Sequence, residues 1–306
     1  MGTARQVRKR GEAWHHRPMK TVGILGLGKI GRAVADNLGE AGFEVVAVRR
    51  ASTGGFPRLV ENAAELARAS DVVVSALPSE AAMRAAFLDG DGLVAGARAG
   101  LVTIDMGTFP APLKRELADA LAGRGATMLD CPISGTPPVV RGRQAVLFVS
   151  GETAAIERCQ PVFEAVAPGR HHNVGPFGAG MAVKWAANLL VGIHTFAAAQ
   201  AMLLGTRSGI DPRLLIEALG PSFAASPVFN ARAPLMADAR YRPAPGPAHV
   251  FVKDMGYIEA ECERLGIVAP LVSPTLDWFR RLVESGHGDD EAASIYELLK
   301  QASSHH

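Results

Sequence analysis

The chain has 306 residues, of which 48% are hydrophobic and 20% charged, with a formal net charge of +2. That length suits two domains of about 150 residues each, and the composition excludes a disordered chain, a collagen and a disulfide scaffold. The positive excess is confined to residues 1–20, where Arg5, Arg8, Lys9, Arg10, Arg17 and Lys20 face Glu12 alone; a nucleic-acid binder carries its excess on a folded face.

Residues 1–18 read as a basic tail without the apolar stretch of about 7–15 residues that marks a secretory leader. Thr21–Leu25 reads as a buried strand, 29–41 as a helix and Glu44–Val48 as a second strand. Asp71–Ala76, Leu101–Ile104 and Ala145–Val149 are further short apolar runs, with helical stretches at Pro112–Ala122 and Thr153–Val166. This alternation predicts an α/β domain over 19–179, a doubly wound parallel sheet with helices on both faces. From Ala179 onward the periods are helical: 179–206, 212–219, 250–265, 274–285 and 290–301. Residues 180–301 therefore read as an all-helical C-terminal domain, joined to the first by a long interdomain helix that begins near Gly180. No apolar run reaches the ~18 residues of a membrane span, because Gly192, His194 and Gln200 interrupt Asn188–Leu204. Cys131, Cys159 and Cys262 are odd in number and lack metal-ligand spacing, so reduced thiols in a cytoplasm and no metal site are expected.

Gly26-Leu27-Gly28-Lys29-Ile30-Gly31 fits G-x-G-x-x-G. Its position, after an apolar strand and at the start of a helix, is the one a dinucleotide-binding turn requires. Gly26 permits the tight turn, Gly28 lets the backbone approach a pyrophosphate, and Gly31 allows close helix–strand packing. An NAD site places a carboxylate at the end of the second strand; here the residues are Val48-Arg49-Arg50-Ala51-Ser52. The forked guanidiniums of Arg49 and Arg50, with the Ser52 hydroxyl, suit a 2′-phosphate, so the expected cofactor is NADP(H).

Four further motifs follow in order: Asp105-Met106-Gly107-Thr108, Asp130-Cys131-Pro132-Ile133-Ser134-Gly135-Thr136, Gly180-Met181-Ala182-Val183-Lys184-Trp185-Ala186-Ala187-Asn188, and Lys253-Asp254-Met255. With the glycine loop, they make the chain resemble the β-hydroxyacid dehydrogenase family, which includes 3-hydroxyisobutyrate dehydrogenase and the semialdehyde reductases. The resemblance runs from about Thr21 to Lys300. It implies a Rossmann-type N-terminal domain, a C-terminal domain like that of 6-phosphogluconate dehydrogenase, and hydride transfer between a small β-hydroxy acid and its semialdehyde, here in the reductive direction. It also implies that Lys184 is catalytic, that Asn188 orients the substrate, and that Ser134, Gly135 and Thr136 hold the substrate's anionic group. Asp254 is then substrate-side, while Leu77-Pro78, Thr108 and Lys253 flank the cofactor. Relatives assemble as homodimers or homotetramers.

The residues also bear reading alone. Lys184 and Asn188 are spaced i, i+4 and share a helical face. A lysine ammonium can deliver the proton that reduction of a carbonyl requires. Ser134 and Gly135 offer a hydroxyl and backbone N–H groups after a strand, an anion-binding turn. Thr136 stands where the family usually has glycine, and its branched side chain disfavours positive φ. Ala187, Arg49 and Gln200 are further departures, which point to a substrate other than the family's commonest. An imine reductase shares this fold but usually has another residue at the lysine position. A non-catalytic NADP-binding scaffold or sensor has no need of Lys184.

Overall fold

A computed structural model describes residues 19–49 and 56–304. Two compact units divide between Lys184 and Trp185. Among the described residues the first holds nine strands, and its sheet grows outward from β1 (Thr21–Leu25). β2 (Glu44–Val48) and β3 (Leu59–Val60) lie on one side of it; β4 (Val72–Ser75), β5 (Val102–Asp105) and β6 (Thr127–Asp130) lie on the other. All five pairings among these six strands are parallel, in the order 3-2-1-4-5-6. The runs are apolar without interruption because both sheet faces are covered. Val22, Ile24, Val72 and Val74 enter one core; Leu25, Val46, Val48 and Val73 enter the other.

The helices of this unit are α1 (Lys29–Glu40), α2 (Ala63–Ala69), α3 (Glu80–Leu88), α4 (Leu93–Gly96), α5 (Ala111–Ala122), α6 (Pro137–Arg141) and α7 (Thr153–Val166). The sheet departs from the all-parallel expectation at its far edge. β7 (Ile133–Ser134) and β8 (Val146–Ser150) pair antiparallel, β8 is antiparallel to β6, and β9 (His171–Gly175) runs parallel to β8. The physical reason is the connection after Asp130: its residues go into β7 and the short α6, which leaves no helical crossover of the dozen or so residues that a parallel return needs.

Helix α8 (Ala179–Arg207) carries the chain from one unit into the next. By length and composition it is apolar enough to cross a membrane, which corrects the expectation that no segment passes that test. The second unit adds α9 (Pro212–Leu219), α10 (Pro227–Ala237), α11 (Ala248–Leu265), α12 (Val272–Leu282) and α13 (Ile295–Ala302). Its core gathers Ala199, Met202, Phe229, Ala233, Phe279 and Ile295. Helix α10 had no counterpart among the expected helices. Ser226 caps it, its Oγ accepting the Phe229 N–H at 3.0 Å, and Pro227 occupies the first turn, where a missing N–H costs nothing.

Candidate active site

In the first unit, the motif residues cluster at the C-terminal ends of the parallel strands and the turns that follow. Gly26 has φ +105°, and a Cβ there would lie 2.5 Å from Ala76 O; a Cβ on Gly31 would lie 1.8 Å from Gly26 O. Neither position accepts a side chain. Gly28, by contrast, would direct a Cβ into open space at the start of α1, and as the N-cap it has no side chain to occupy the first-turn amides. Those amides and the positive end of the helix are free for a phosphate. The chain therefore fits a dinucleotide at this turn, with Leu27, Lys29 and Ile30 as its remaining members. Leu77, next to Pro78 after β4, packs against the same turn, 3.1 Å from where a Gly26 Cβ would stand.

At the end of β2, Arg49 Nε lies 3.0 Å from Glu61 Oε1, an exposed ion pair. Glu61 follows the two-residue β3, and its carboxylate was not anticipated beside the basic strand end. Arg50 and Ser52 lie outside the described residues.

Thr108 follows β5 by three residues, and Ser134 ends β7 beside Val146 of β8. Thr136 has φ −76° and serves as the N-cap of α6, so this position makes no demand for the glycine usual in the family. The stretch after it is strapped to α1. Asn37, fully buried, donates to Val140 O at 2.7 Å and accepts from Arg141 Nη1 at 3.0 Å, while Arg141 and Arg143 both pair with Glu40. The Arg141 guanidinium holds the Glu40 carboxyl below its ordinary range.

Lys184 sits on α8 with 8% exposure. The amides that open this helix are held by the sheet: Met181 N–H donates to Asp130 Oδ2 at 2.9 Å and Gly180 N–H to Ser150 Oγ at 2.9 Å. Asn188 lies one turn beyond Lys184 on the same face. In the second unit, Asn188 Nδ2 donates to Asp254 Oδ2 at 2.8 Å, and Lys253 Nζ lies 3.2 Å from Asp254 Oδ1. One hydrogen bond and one ion pair thus join these three motif residues. Lys253 also stands 5.8 Å from the centre of the Tyr257 ring, which packs on Trp185. No group of His, Cys, Asp and Glu suited to a metal occurs among the described residues.

Residues 21–175 match the family described as the NAD binding domain of 6-phosphogluconate dehydrogenase. Residues 178–299 match the family described as NAD-binding of NADP-dependent 3-hydroxyisobutyrate dehydrogenase. An L-threonate dehydrogenase of Cupriavidus necator is 31% identical over 289 residues, covering 92% of this chain and 96% of the relative. The chain belongs to the β-hydroxyacid dehydrogenase family. An NAD-dependent L-serine dehydrogenase of Pseudomonas aeruginosa is 29% identical over 92% of the chain and 98% of its own length. A crystal structure of 3-hydroxyisobutyrate dehydrogenase from Salmonella typhimurium superposes with a TM-score of 0.82 at 27% identity, covering 91% and 99% of the two chains. As a β-hydroxyacid dehydrogenase, this protein is an oxidoreductase with a nicotinamide dinucleotide cofactor.

Two groups at this dehydrogenase's strand ends escaped the motif reading. Glu61 is one. The other is Lys114, fully buried on α5 between Asp105 and Asp130. A signal for Lys114 existed: it falls on the apolar stripe of Leu113, Leu117 and Leu121.

Proposed function

We propose that this dehydrogenase interconverts a small β-hydroxy acid, 3-hydroxyisobutyrate-like in size and charge, and its semialdehyde, acting as an NADP(H)-dependent reductase. The observation that carries this reading is the placement of Lys184: nearly buried, on a helix whose first amides are bound to the strand ends that carry the motif turns. A bound nicotinamide dinucleotide supplies the hydride. Lys184 Nζ holds the proton that the substrate oxygen takes up in reduction and returns in oxidation. The hydroxyl and amides of Ser134, Gly135 and Thr136 bind the carboxylate, or a phosphonate or sulfonate in its place. Asn188, its amide nitrogen committed to Asp254, retains Oδ1 to accept from the substrate hydroxyl. Thr108, Leu77-Pro78 and Lys253 flank the cofactor, and Arg49, with Arg50 and Ser52, takes its 2′-phosphate.

Assembly and setting follow the same reading. Leu190 and Leu204 of α8, with Leu214, Phe223, Val268 and Leu271, are exposed on the second unit. Apolar area of this kind marks a protein contact, and a second copy of the chain in a homodimer or homotetramer is the occupant. The apolar run of α8 is then an assembly face rather than a lipid-facing one. Free, buried Cys131 and Cys159 suit a cytoplasmic enzyme.

The deciding experiment compares wild type with Lys184→Ala in NADPH oxidation against glyoxylate and the succinic, methylmalonic and tartronic semialdehydes. The variant loses about 10²–10⁴-fold in kcat. Its NADPH affinity, read by fluorescence titration, stays within about two-fold, because uniform binding is untouched. Unchanged turnover in the variant overturns the assignment.

A further inference from the structure

Lys114 is 1% exposed, so its ammonium has three N–H donors to place inside the protein. Nζ donates to Asp130 Oδ1 at 2.6 Å and to Gly107 O at 2.8 Å, and it lies 2.9 Å from Asp105 Oδ2 as an ion pair. Burial alone would push the lysine down, but the two carboxylates outweigh it and hold the group above its ordinary value. A permanent cation therefore stands between two carboxylates whose residues are direct neighbours across β5 and β6.

The remaining lone pairs of those carboxylates have work beyond the ion pair. Asp105 Oδ1 accepts from Ser75 Oγ at 2.7 Å and from Gly107 N–H at 3.3 Å, which fixes the turn leading to Thr108. Asp130 Oδ2 accepts from Met181 N–H, and Ser150 Oγ, 3.0 Å from Asp130 O, accepts from Gly180 N–H. Gly180 packs so tightly on β6 and β8 that a Cβ would stand 2.5 Å from Phe148 O and 2.8 Å from Asp130 O. Helix α8 thus begins on a carboxylate and a hydroxyl, with the positive end of its dipole on Asp130.

We propose that Lys114 is a positioning residue for the reaction: by pairing with Asp130 and holding it in place as the cap of α8, it sets where Lys184 presents its ammonium. This rests on the acid–base role of Lys184. That residue follows Met181 by three positions, about 4.5 Å along the helix axis, and helical side chains lean back toward the N-terminus. A shift of the capped turn therefore carries Lys184 with it. Without Lys114, Asp105 and Asp130 become adjacent buried carboxylates that must share a proton. The further titratable group against this cluster is the Cys131 thiol, which burial raises well above its usual value and keeps neutral.

The test uses Lys114→Met and the double variant Lys114→Met/Asp130→Asn, whose amide oxygen can still accept from Met181 N–H. Lys114→Met is expected to lower kcat at least about ten-fold, a loss typical of misplacement by a fraction of an ångström. Its KM for NADPH is expected to stay within about two-fold, and the alkaline limb of its pH–rate profile to move to lower pH as the second carboxylate ionises. The double variant is expected to regain at least about three-fold of that loss and the wild-type limb, because Asp105 no longer faces a second buried carboxylate. Hydrogen exchange at the Met181 amide gives a readout independent of Lys184: it should quicken about ten-fold in Lys114→Met. A single variant with wild-type kcat and limb, or a double variant no better than the single, overturns the proposal. If Lys114→Met does not fold, a double variant that folds with a wild-type limb supports it. A double variant that also fails makes Lys114 a general core group and overturns it. If Lys184→Ala is fully active while Met181 exchange still quickens, the acid–base reading falls and the cap stands.

Discussion

A charged cluster is buried in each unit, Lys114 with two carboxylates in the first and Arg232 with Glu291 in the second, and the two differ in what they hold. In the helical unit, Arg232 donates from Nε and Nη2 to Glu291 Oε1 at 3.0 and 2.9 Å and from Nη1 to Thr195 Oγ1 at 3.0 Å. Its guanidinium lies 4.9 Å from the Phe251 ring centre, and Glu291 Oε2 accepts from Ala293 N–H at 2.6 Å. That cluster is electrically balanced, ties α8 and α10 to the turn before α13, and touches no motif residue. In the sheet unit, Lys114 leaves one negative charge in excess, and that excess meets the backbone amides that open α8. Buried charge alone is thus no mark of function. The distinction lies in whether the spare lone pairs end on structure that carries chemistry.

The comparison can be broken by stability and kinetics measured together. Arg232→Met leaves Glu291 buried and unpaired, which costs about 3–5 kcal/mol. Urea denaturation should show that loss, while kcat/KM of the folded variant stays within about two-fold of wild type, since no transition-state contact is removed. A kinetic loss as large as that expected for Lys114→Met would erase the difference between the two clusters.

A smaller effect belongs to the exposed cluster at the end of β2. Arg49→Ala is expected to weaken NADPH binding by about ten-fold, the order of one charge-assisted hydrogen bond, with NADH changed much less. Equal losses for both cofactors would remove Arg49 from the 2′-phosphate site. The NADPH loss should shrink at high salt, because the pair is solvent-exposed.

What the sequence disclosed follows from where the signal is local. β1, the glycine turn and Glu44–Val48 were read in place, because a parallel strand buried on both faces is an unbroken apolar run and the turn has its own glycine spacing. β7 was missed: two residues carry no periodicity, and their pairing with β8 is a tertiary fact. Helix α10 has no counterpart in the sequence reading because Pro234 interrupts its interior. The same division holds at the site. Lys184, Asn188 and Ser134 sit in contiguous motifs. Lys114 and Glu61 lie outside every motif: the apolar stripe of α5 marks Lys114 only as buried, and the partners of both are set by strand pairing.

Glu61 allows the finest test, because it can be read in two opposed ways. The Arg49–Glu61 pair is exposed on both sides, and such pairs contribute about 0.2–1 kcal/mol. A 2′-phosphate arriving at Arg49 must displace that carboxylate and tolerate its charge nearby. Glu61→Gln removes both obstacles, so NADPH should bind up to about five-fold more tightly, which is the same energy expressed as an affinity. Yet a carboxylate at the end of the second strand is also the group an NAD site uses for the ribose hydroxyls, and β3 delivers one to that place. In that case Glu61→Gln would weaken NADH and leave NADPH nearly unchanged. Titrating both cofactors into the one variant separates the readings by sign rather than size. Tighter NADPH keeps Glu61 as a competitor for Arg49. Weaker NADH makes it the ribose ligand, turns Arg49 into its orienting partner, and reverses the proposed cofactor preference.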